Sequence, residues 1–535
     1  MKKLLLLGDE AVAQGAIDAG LSGAYGYPGT PSTEIIEYVQ INKDAIDRDI
    51  KRVWSSNEKT AMEAALGMSY AGKRAIVTMK HVGLNVAADP YMNSALTGAN
   101  GGVIVAVADD PSMHSSQNEQ DSRFYAKFSK MMAFEPSNQQ EAYEMPRYAF
   151  QLSEKYKIPV LLRLTTRLAH SRAGVIRKEM LDENKMQKPD DPNQFMLLPA
   201  FARKKYKELL KMQDDLVKES ENSPFNKYSD GDDKSMGIIA CGLGYNYLME
   251  NLQDSNKNHP ILKISQYPIP KKQIERIVDE CEKILVIEEG MPLVEEMLSG
   301  YLRKGIKVHG RLDGTLPEDG ELNPSLVRKA LGLPELEHKK IPEIIAGRPP
   351  ALCVGCPHSD SYKALKESLN EYGQGHVFSD IGCYTLGFLP PYQAINTCVD
   401  MGASLTMAIG AADAGLFPSI AVIGDSTFGH SGLTGLVDAI EKKSNIVLVI
   451  LDNDTTAMTG MQDSTVTGRI EKICMGIGVD KEHIRVIKPL KNNHDENVKV
   501  FKEEIAYNGV SVVIPRRPCI HVYKKRKSRE KYIKK

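Results

Sequence analysis

The sequence predicts an α/β protein in which two large doubly wound units flank a smaller α/β unit. Apolar β-branched runs recur along it: KLLLLG, RAIVTMK, GGVIVAVAD and PVLLRLT early, MGIIACG and KILVIEEG in the middle, SIAVIGD, NIVLVILD and VSVVIP late. Runs of this kind, bounded by Gly, Pro or Asp and separated by stretches with helical apolar spacing, read as parallel strands buried on both faces. A chain of 535 residues is also too long for one core, and about 100 to 200 residues per domain gives about three. Polar and Pro-rich stretches, KESENSPFNKYSDGDDKS and IPEIIAGRPP, break the pattern in two places. The expected organisation is a first unit over residues 1–200, a polar linker with a helical excursion over 201–235, a small unit over 236–340, a third unit over 341–522 and a basic tail over 523–535.

MKKLLLLGDE resembles the start of a secretory signal, but four leucines fall short of the roughly 7 to 15 residues of a signal core, so it reads as a first strand. No apolar run approaches the roughly 18 residues of a membrane helix, and the expected location is cytoplasmic. The formal net charge of -1 supplies no field to attract nucleic acid or an acidic membrane. Only KKRKSREKYIKK is locally basic, and without aromatic platforms it reads as a solvated, disordered end. GLGYN, around Gly242, matches only part of a dinucleotide fingerprint. Eight cysteines are too few for a disulfide scaffold.

The densest chemical signal lies in the third unit. The strand SIAVI runs into GDSTFGHSG, and NIVLVI runs into LDNDTTAMTG, with LTGLVDAIEKKS between them as a crossover helix. In such sheets the carboxyl ends of the strands open into the ligand crevice, so both polar turns point to one place. Asp425 and Asn453 can offer two hard oxygens to one small cation, which suits Mg²⁺ completing its shell with water and phosphate. Gly424 would let the backbone approach a phosphate, and the N-terminus of the helix after Phe428 would favour its charge. On spacing alone, Asp425 fits a helix cap and Asn453 a turn just as well.

The spacing GDS, 26 residues, N, followed by DTTAMTG, resembles the thiamine-diphosphate motif, with Ser426 where most such enzymes have a second Gly. TTAMTGMQ resembles the 2-oxoacid:ferredoxin oxidoreductases more closely. YPGTPSTEI, NEKTAMEAALG and MKHVGLNVAADP resemble the large (alpha) subunit of indolepyruvate:ferredoxin oxidoreductase nearly word for word, from GDEAVAQGAIDAG to RRPC. The resemblance implies two thiamine-diphosphate-binding domains flanking a transketolase-C-terminal-like domain. It implies Mg²⁺ on the side chains of Asp425 and Asn453 and the carbonyl of Thr455, with Gly424 and Ser426 in the cofactor turn.

Thiamine diphosphate is activated when its aminopyrimidine takes the imino form, which needs a carboxylate on the pyrimidine ring. The resemblance assigns that role to Glu58, in WSSNEKTAMEAALGMSYAG. A first-turn Glu favoured by the helix dipole is the plain alternative. Thr30 is implied beside the substrate, although its strand-end turn fits an ordinary helix cap too. Lys80 and His81 could face the substrate; His81 and His430, as lone histidines, fit structural roles better.

LCVGCPH sets Cys353 and Cys356 at C-x2-C spacing, Cys383 lies in SDIGC and Cys519 in RRPC. C-x2-C alone fits zinc, redox chemistry or neither; the resemblance implies that these four hold one 4Fe-4S cluster. Cys241, Cys281, Cys398 and Cys474 read as buried small hydrophobes.

The implied reaction is oxidative decarboxylation of an aryl pyruvate to aryl-acetyl-CoA, with CoA as co-substrate and ferredoxin or another external acceptor taking the electrons. A small beta subunit and a hetero-oligomer built on an alpha dimer are the implied assembly. The sequence ends in HVYKKRKSREKYIKK, where the usual large subunit continues into a ferredoxin-like domain. A separate iron-sulfur acceptor steered by the basic tail is therefore expected. A non-redox thiamine-dependent 2-oxoacid decarboxylase, and a regulatory subunit that keeps the fold without turnover, are the other readings.

Overall fold

The structure, a computed structural model, describes residues 3–253, 258–300, 305, 307–335 and 341–533, with side chains to residue 526. The chain divides into two compact units, Met1–Lys339 and Lys340–Lys535.

The first unit is built on a seven-stranded sheet in the order Gln266–Tyr267, Met132–Phe134, Val160–Thr165, Val103–Asp109, Ala75–Lys80, Gly23–Gly26, Lys51–Trp54. Every pairing in it is parallel except that of Gln266–Tyr267 with Met132–Phe134. The middle strands AIVTMK, VIVAVAD and VLLRLT are buried at every position, as uninterrupted apolar runs covered by helices on both faces must be. The first leucine run, Lys3–Leu7, lies apart and pairs antiparallel with Arg172–Ile176.

The expected small unit forms a second sheet, ordered Lys307–His309, Lys283–Ile287, Gly237–Cys241, Ile261–Ile264, Lys227–Ser229. It packs within the first compact unit, and its Ile238, Leu248 and Ile287 share one apolar core with Val12, Phe134 and Leu162. Buried ion pairs add to the joint, because Arg123, wholly buried, reaches Asp121 and Glu288, the latter at 2.9 Å.

The stretch expected as a polar linker with a helical excursion contains that helix and also a strand. Helix Pro199–Glu221 buries Leu209 and Leu216, and Lys227–Ser229 joins the small sheet. Leucines seven residues apart stay on one helical face, which anchors a segment that is otherwise polar.

The second unit holds one parallel sheet, ordered Val377–Ser379, Ile420–Gly424, Ile446–Leu451, Val510–Pro515, Ile484–Ile487. After Cys519 the backbone continues as helix Ile520–Ile533, where a disordered tail was expected; Arg526 pairs with Asp454 at 3.2 Å and ties the start of the tail to the Asn453 turn. Cys241, Cys281 and Cys474 are buried as expected, whereas Cys398 is exposed. It lies in irregular chain over residues 393–399, outside any strand or helix. Among the described residues, no helix is long and apolar enough to cross a membrane.

Candidate functional site

In the second unit, Gly424 pairs with Leu451 across two neighbouring parallel strands. Asp425 and the Asp452-Asn453 pair therefore leave the sheet at the same level. The helical segment begins at Asp425 itself, earlier than the expected start after Phe428, and passes through a π-turn at Phe428–Gly432 into Leu433–Glu441. Asp425 is 2% exposed, and its Oδ2 has no hydrogen-bond partner. Burial, and then the neighbouring Asp452, push its carboxyl up to about 8. A buried carboxylate in this state is a ready ligand for a cation, since the ion would supply the missing partner.

Asn453 is held at both ends of its amide. Its Nδ2 donates to Nε2 of His358 at 3.2 Å, and its Oδ1 accepts from the backbone N–H of Thr455 at 3.1 Å. His358 suits the acceptor role because burial pulls it down to about 4, so it is neutral. Thr455 donates its hydroxyl to the carbonyl of Gln462 at 2.9 Å, and Ser426 meets Thr456 at 2.6 Å, joining the two turns. Gly424 has a nearer constraint than a phosphate: a Cβ there would meet the Tyr384 ring at 2.7 Å. Tyr384 in turn donates to Asp380, a buried carboxyl that also accepts from Ser404 at 2.6 Å and is pushed by burial to about 7. His430 is buried in the π-turn against Ser431, at 2.5 Å.

The four singled-out cysteines come together. Cys353, Cys356, Cys383 and Cys519 line one cavity of about 130 Å³, with His358 and Asn453 in the same wall. The backbone N–H of Cys519 donates to the carbonyl of Asn453 at 3.0 Å, so the cysteine group and the Asn453 turn are directly bonded. All four thiols are free. Burial, and then the neighbouring thiols, raise Cys356 to about 11 and Cys383 to about 12. No three of these sulfurs lie within 4.8 Å of one another. A single tetrahedral zinc, at about 2.3 Å from each sulfur, needs them closer than that. Four thiols in one wall could hold an iron-sulfur cluster.

In the first unit, the candidates sit beyond the carboxyl ends of adjacent parallel strands. Glu58 opens helix Glu58–Tyr70, whose N-cap Asn57 accepts from Thr60 N–H at 2.9 Å, and whose buried face is Glu58, Ala61, Met62, Ala65 and Ser69. A Cβ on Gly83 would come within 2.5 Å of Glu58 Oε1, so a larger residue there would displace the Glu58 carboxylate. Lys80 ends its strand and donates to the carbonyl and hydroxyl of Ser115 at 2.8 and 3.2 Å; Ser115 donates to the carbonyl of Thr30 at 3.2 Å. Burial lowers Lys80 to about 8 against the opposing pull of Asp110. His81 is buried and lowered to about 4, chiefly by burial and then by Lys80; neither ring nitrogen makes a well-formed hydrogen bond, Asn118 offering only a weak contact. His81 lines a cavity of about 170 Å³ with Leu84, Phe124, Tyr125 and Met291. The spacing arguments did not reach His358, Asp380 or Ser115; the first two stand beside cysteines in CPHS and SDIGC, and Ser115 carries no signal of its own.

Comparison with known proteins agrees with this geometry. Residues 14–211 match the family model "Pyruvate flavodoxin/ferredoxin oxidoreductase, thiamine diP-bdg", and residues 380–514 match "Thiamine pyrophosphate enzyme, C-terminal TPP binding domain". A solved structure of 2-oxoglutarate:ferredoxin oxidoreductase from Magnetococcus marinus shares the fold, with TM-score 0.51 and 18% identity, covering 62% of this chain and 65% of that one. Fold and paired domains define an oxidoreductase with thiamine-diphosphate-binding domains, of the kind that decarboxylates 2-oxoacids oxidatively. Indolepyruvate oxidoreductase subunit IorA from Archaeoglobus fulgidus is 41% identical over 99% of this chain and 88% of its own length, and the Methanothermobacter thermautotrophicus protein of that name is 39% identical over 97% and 87%. The chain belongs to the indolepyruvate oxidoreductase IorA family.

Proposed function

We propose that this chain is the catalytic alpha subunit that converts an aryl pyruvate and CoA to aryl-acetyl-CoA and CO₂, passing two electrons to ferredoxin. The observation that carries the redox reading is the cavity in which four cysteines share a wall with Asn453. The aryl reading is supported by Leu84, Phe124, Tyr125 and Met291 around the His81 cavity. CoA and ferredoxin are further supported by the M. marinus 2-oxoglutarate:ferredoxin oxidoreductase, which was solved with coenzyme A bound; the relatives' names as subunits support a partner subunit, for which a small beta chain on an alpha dimer is the assembly proposed. The cytoplasm is the location proposed for this assembly.

Thiamine diphosphate, when bound, supplies the electron sink that lets the bond to CO₂ break. Asp425, Asn453 and the carbonyl of Thr455 would hold its Mg²⁺, with Gly424 and Ser426 lining the turn. Glu58 would hold a proton at the pyrimidine ring. Thr30 and the Lys80 ammonium would bind the substrate carboxylate, and neutral His81 can accept or return a proton beside it. Cys353, Cys356, Cys383 and Cys519 would hold one 4Fe-4S cluster as the first electron stop.

Two results are expected. Protein prepared anaerobically with its partner should hold about four irons per chain, lost in Cys353→Ser or Cys519→Ser; zinc instead, or iron kept after both changes, would overturn the cluster. The folded-state value of Lys80 near 8 means that its charge is present below that pH and lost above it. The kcat/KM for a 2-oxoacid should therefore fall above about pH 8, and Lys80→Gln should abolish that limb of the profile. A profile unchanged by Lys80→Gln would remove Lys80 from substrate binding.

The test of the whole reading is a panel of 2-oxoacids given to the anaerobic complex with CoA and a dye acceptor. Aryl pyruvates should give the highest kcat/KM. Preference for 2-oxoglutarate or pyruvate would refute the aryl assignment.

A further inference from the structure

Away from these residues, three segments of the first unit bring ligand-type side chains together. Asp9 is the second residue of helix Gly8–Asp18, Glu34 lies in the first turn of helix Thr33–Ile41, and His170 ends helix Thr166–His170. One ligand atom from each lies within 4.8 Å of the other two. Two ligands held about 2.0 to 2.2 Å from a common ion can be no more than about 4.4 Å apart, so a contraction of a few tenths of an ångström would close such a site.

The second observation is the state of Asp9. It is wholly buried, and neither carboxylate oxygen has a hydrogen-bond partner; Glu34 Oε2 is likewise unpartnered. Buried carboxylates without partners are costly, and proteins keep them where a cation or a proton completes them. The backbone is built to bring the segments this close, since a Cβ on Gly8 would strike the carbonyl oxygen of Leu168 at 2.2 Å. His170 Nε2 already stands 3.5 Å from Glu34 Oε1, and both side chains are about one-third exposed, which leaves an entry path.

We propose that Asp9, Glu34 and His170 bind a divalent first-row transition cation. An imidazole with two carboxylates is a mixed nitrogen and oxygen set that suits Mn²⁺, Fe²⁺ or Zn²⁺ better than Ca²⁺ or Mg²⁺. Bound there, the ion would pin the start of helix Thr33–Ile41, three residues after Thr30, to the helix that opens the chain. It would also pin that start to Thr166–His170, whose Thr166 hydroxyl donates to Asp110 at 2.7 Å. The cation thus acts as a staple beneath the Thr30 turn and takes no part in the reaction.

Mn²⁺ titration of the full-length protein without thiamine diphosphate, read by loss of the free-ion electron paramagnetic resonance signal, tests this. Wild type and Asp425→Asn should each bind an equivalent that Asp9→Asn abolishes. His170→Gln, an exposed change that leaves the core intact, should weaken it at least about 10-fold, as altered metal shells do. Superimposable isotherms for wild type, Asp9→Asn and His170→Gln would overturn the site. So would an Asp9→Asn protein more stable than wild type with no Mn²⁺ response in either, which would mean that Asp9 and Glu34 share a proton.

Discussion

Asp425→Ala should lose Mg²⁺-dependent thiamine-diphosphate binding while the protein keeps its fold. The side chain stands at the end of strand Ile420–Gly424, level with the Asn453 turn, and it is a buried carboxylate with an unpartnered oxygen; neighbouring Asp452 has one too, but its other oxygen is held by Arg516 at 2.6 Å. Removing it would take away the charged ligand proposed for the ion. Loss of affinity should exceed the roughly 100-fold that follows from disturbing a metal's outer contacts. The fold should survive because burial and Asp452 already work against the charged form of this group, so alanine gives up little native stabilisation. Calorimetry should show the wild-type heat of cofactor binding abolished and an unchanged circular dichroism spectrum. Undiminished affinity would return Asp425 to the role of a helix-start residue.

Glu58→Gln should bind the cofactor and slow decarboxylation by about 10²-fold or more, on the usual scale of acid-base effects. The buried carboxylate lies against Gly83, where a larger residue would displace it. Glutamine has the same shape, so packing and binding should persist while the proton at the pyrimidine ring can no longer be held. Single-turnover CO₂ release separates the two steps. Normal turnover in this variant would leave Glu58 as a first-turn carboxylate favoured by the helix dipole.

The strands that build the sheet centres were legible because buried parallel strands must be apolar at every position, as AIVTMK and IVLVIL are. KYS at Lys227–Ser229 and KVH at Lys307–His309 were not, because edge strands need bury little. Helix Pro199–Glu221 was expected as a helical excursion, but its packing was not legible for a similar reason: two widely spaced leucines carry its core contact. The polar turns around Asp425 and Asn453 were legible from their strand-end positions, and the cysteine set from resemblance. Gly424 was legible as a constrained glycine but not for its cause, since Tyr384 lies 40 residues away in sequence. Arg123 and Asp9 gave no sign of being buried, because charge in a sequence reads as surface until partners from distant segments are in place.

Reduction by substrate of the cluster proposed for the four cysteines is the most direct test. The anaerobic complex, mixed with an aryl pyruvate and CoA in the absence of any other acceptor, should release CO₂ and develop the electron paramagnetic resonance signal of a reduced 4Fe-4S cluster, and Cys383→Ser should abolish the signal. Release of CO₂ with free aldehyde as the product and no reduced iron would contradict the account and identify a non-redox decarboxylase.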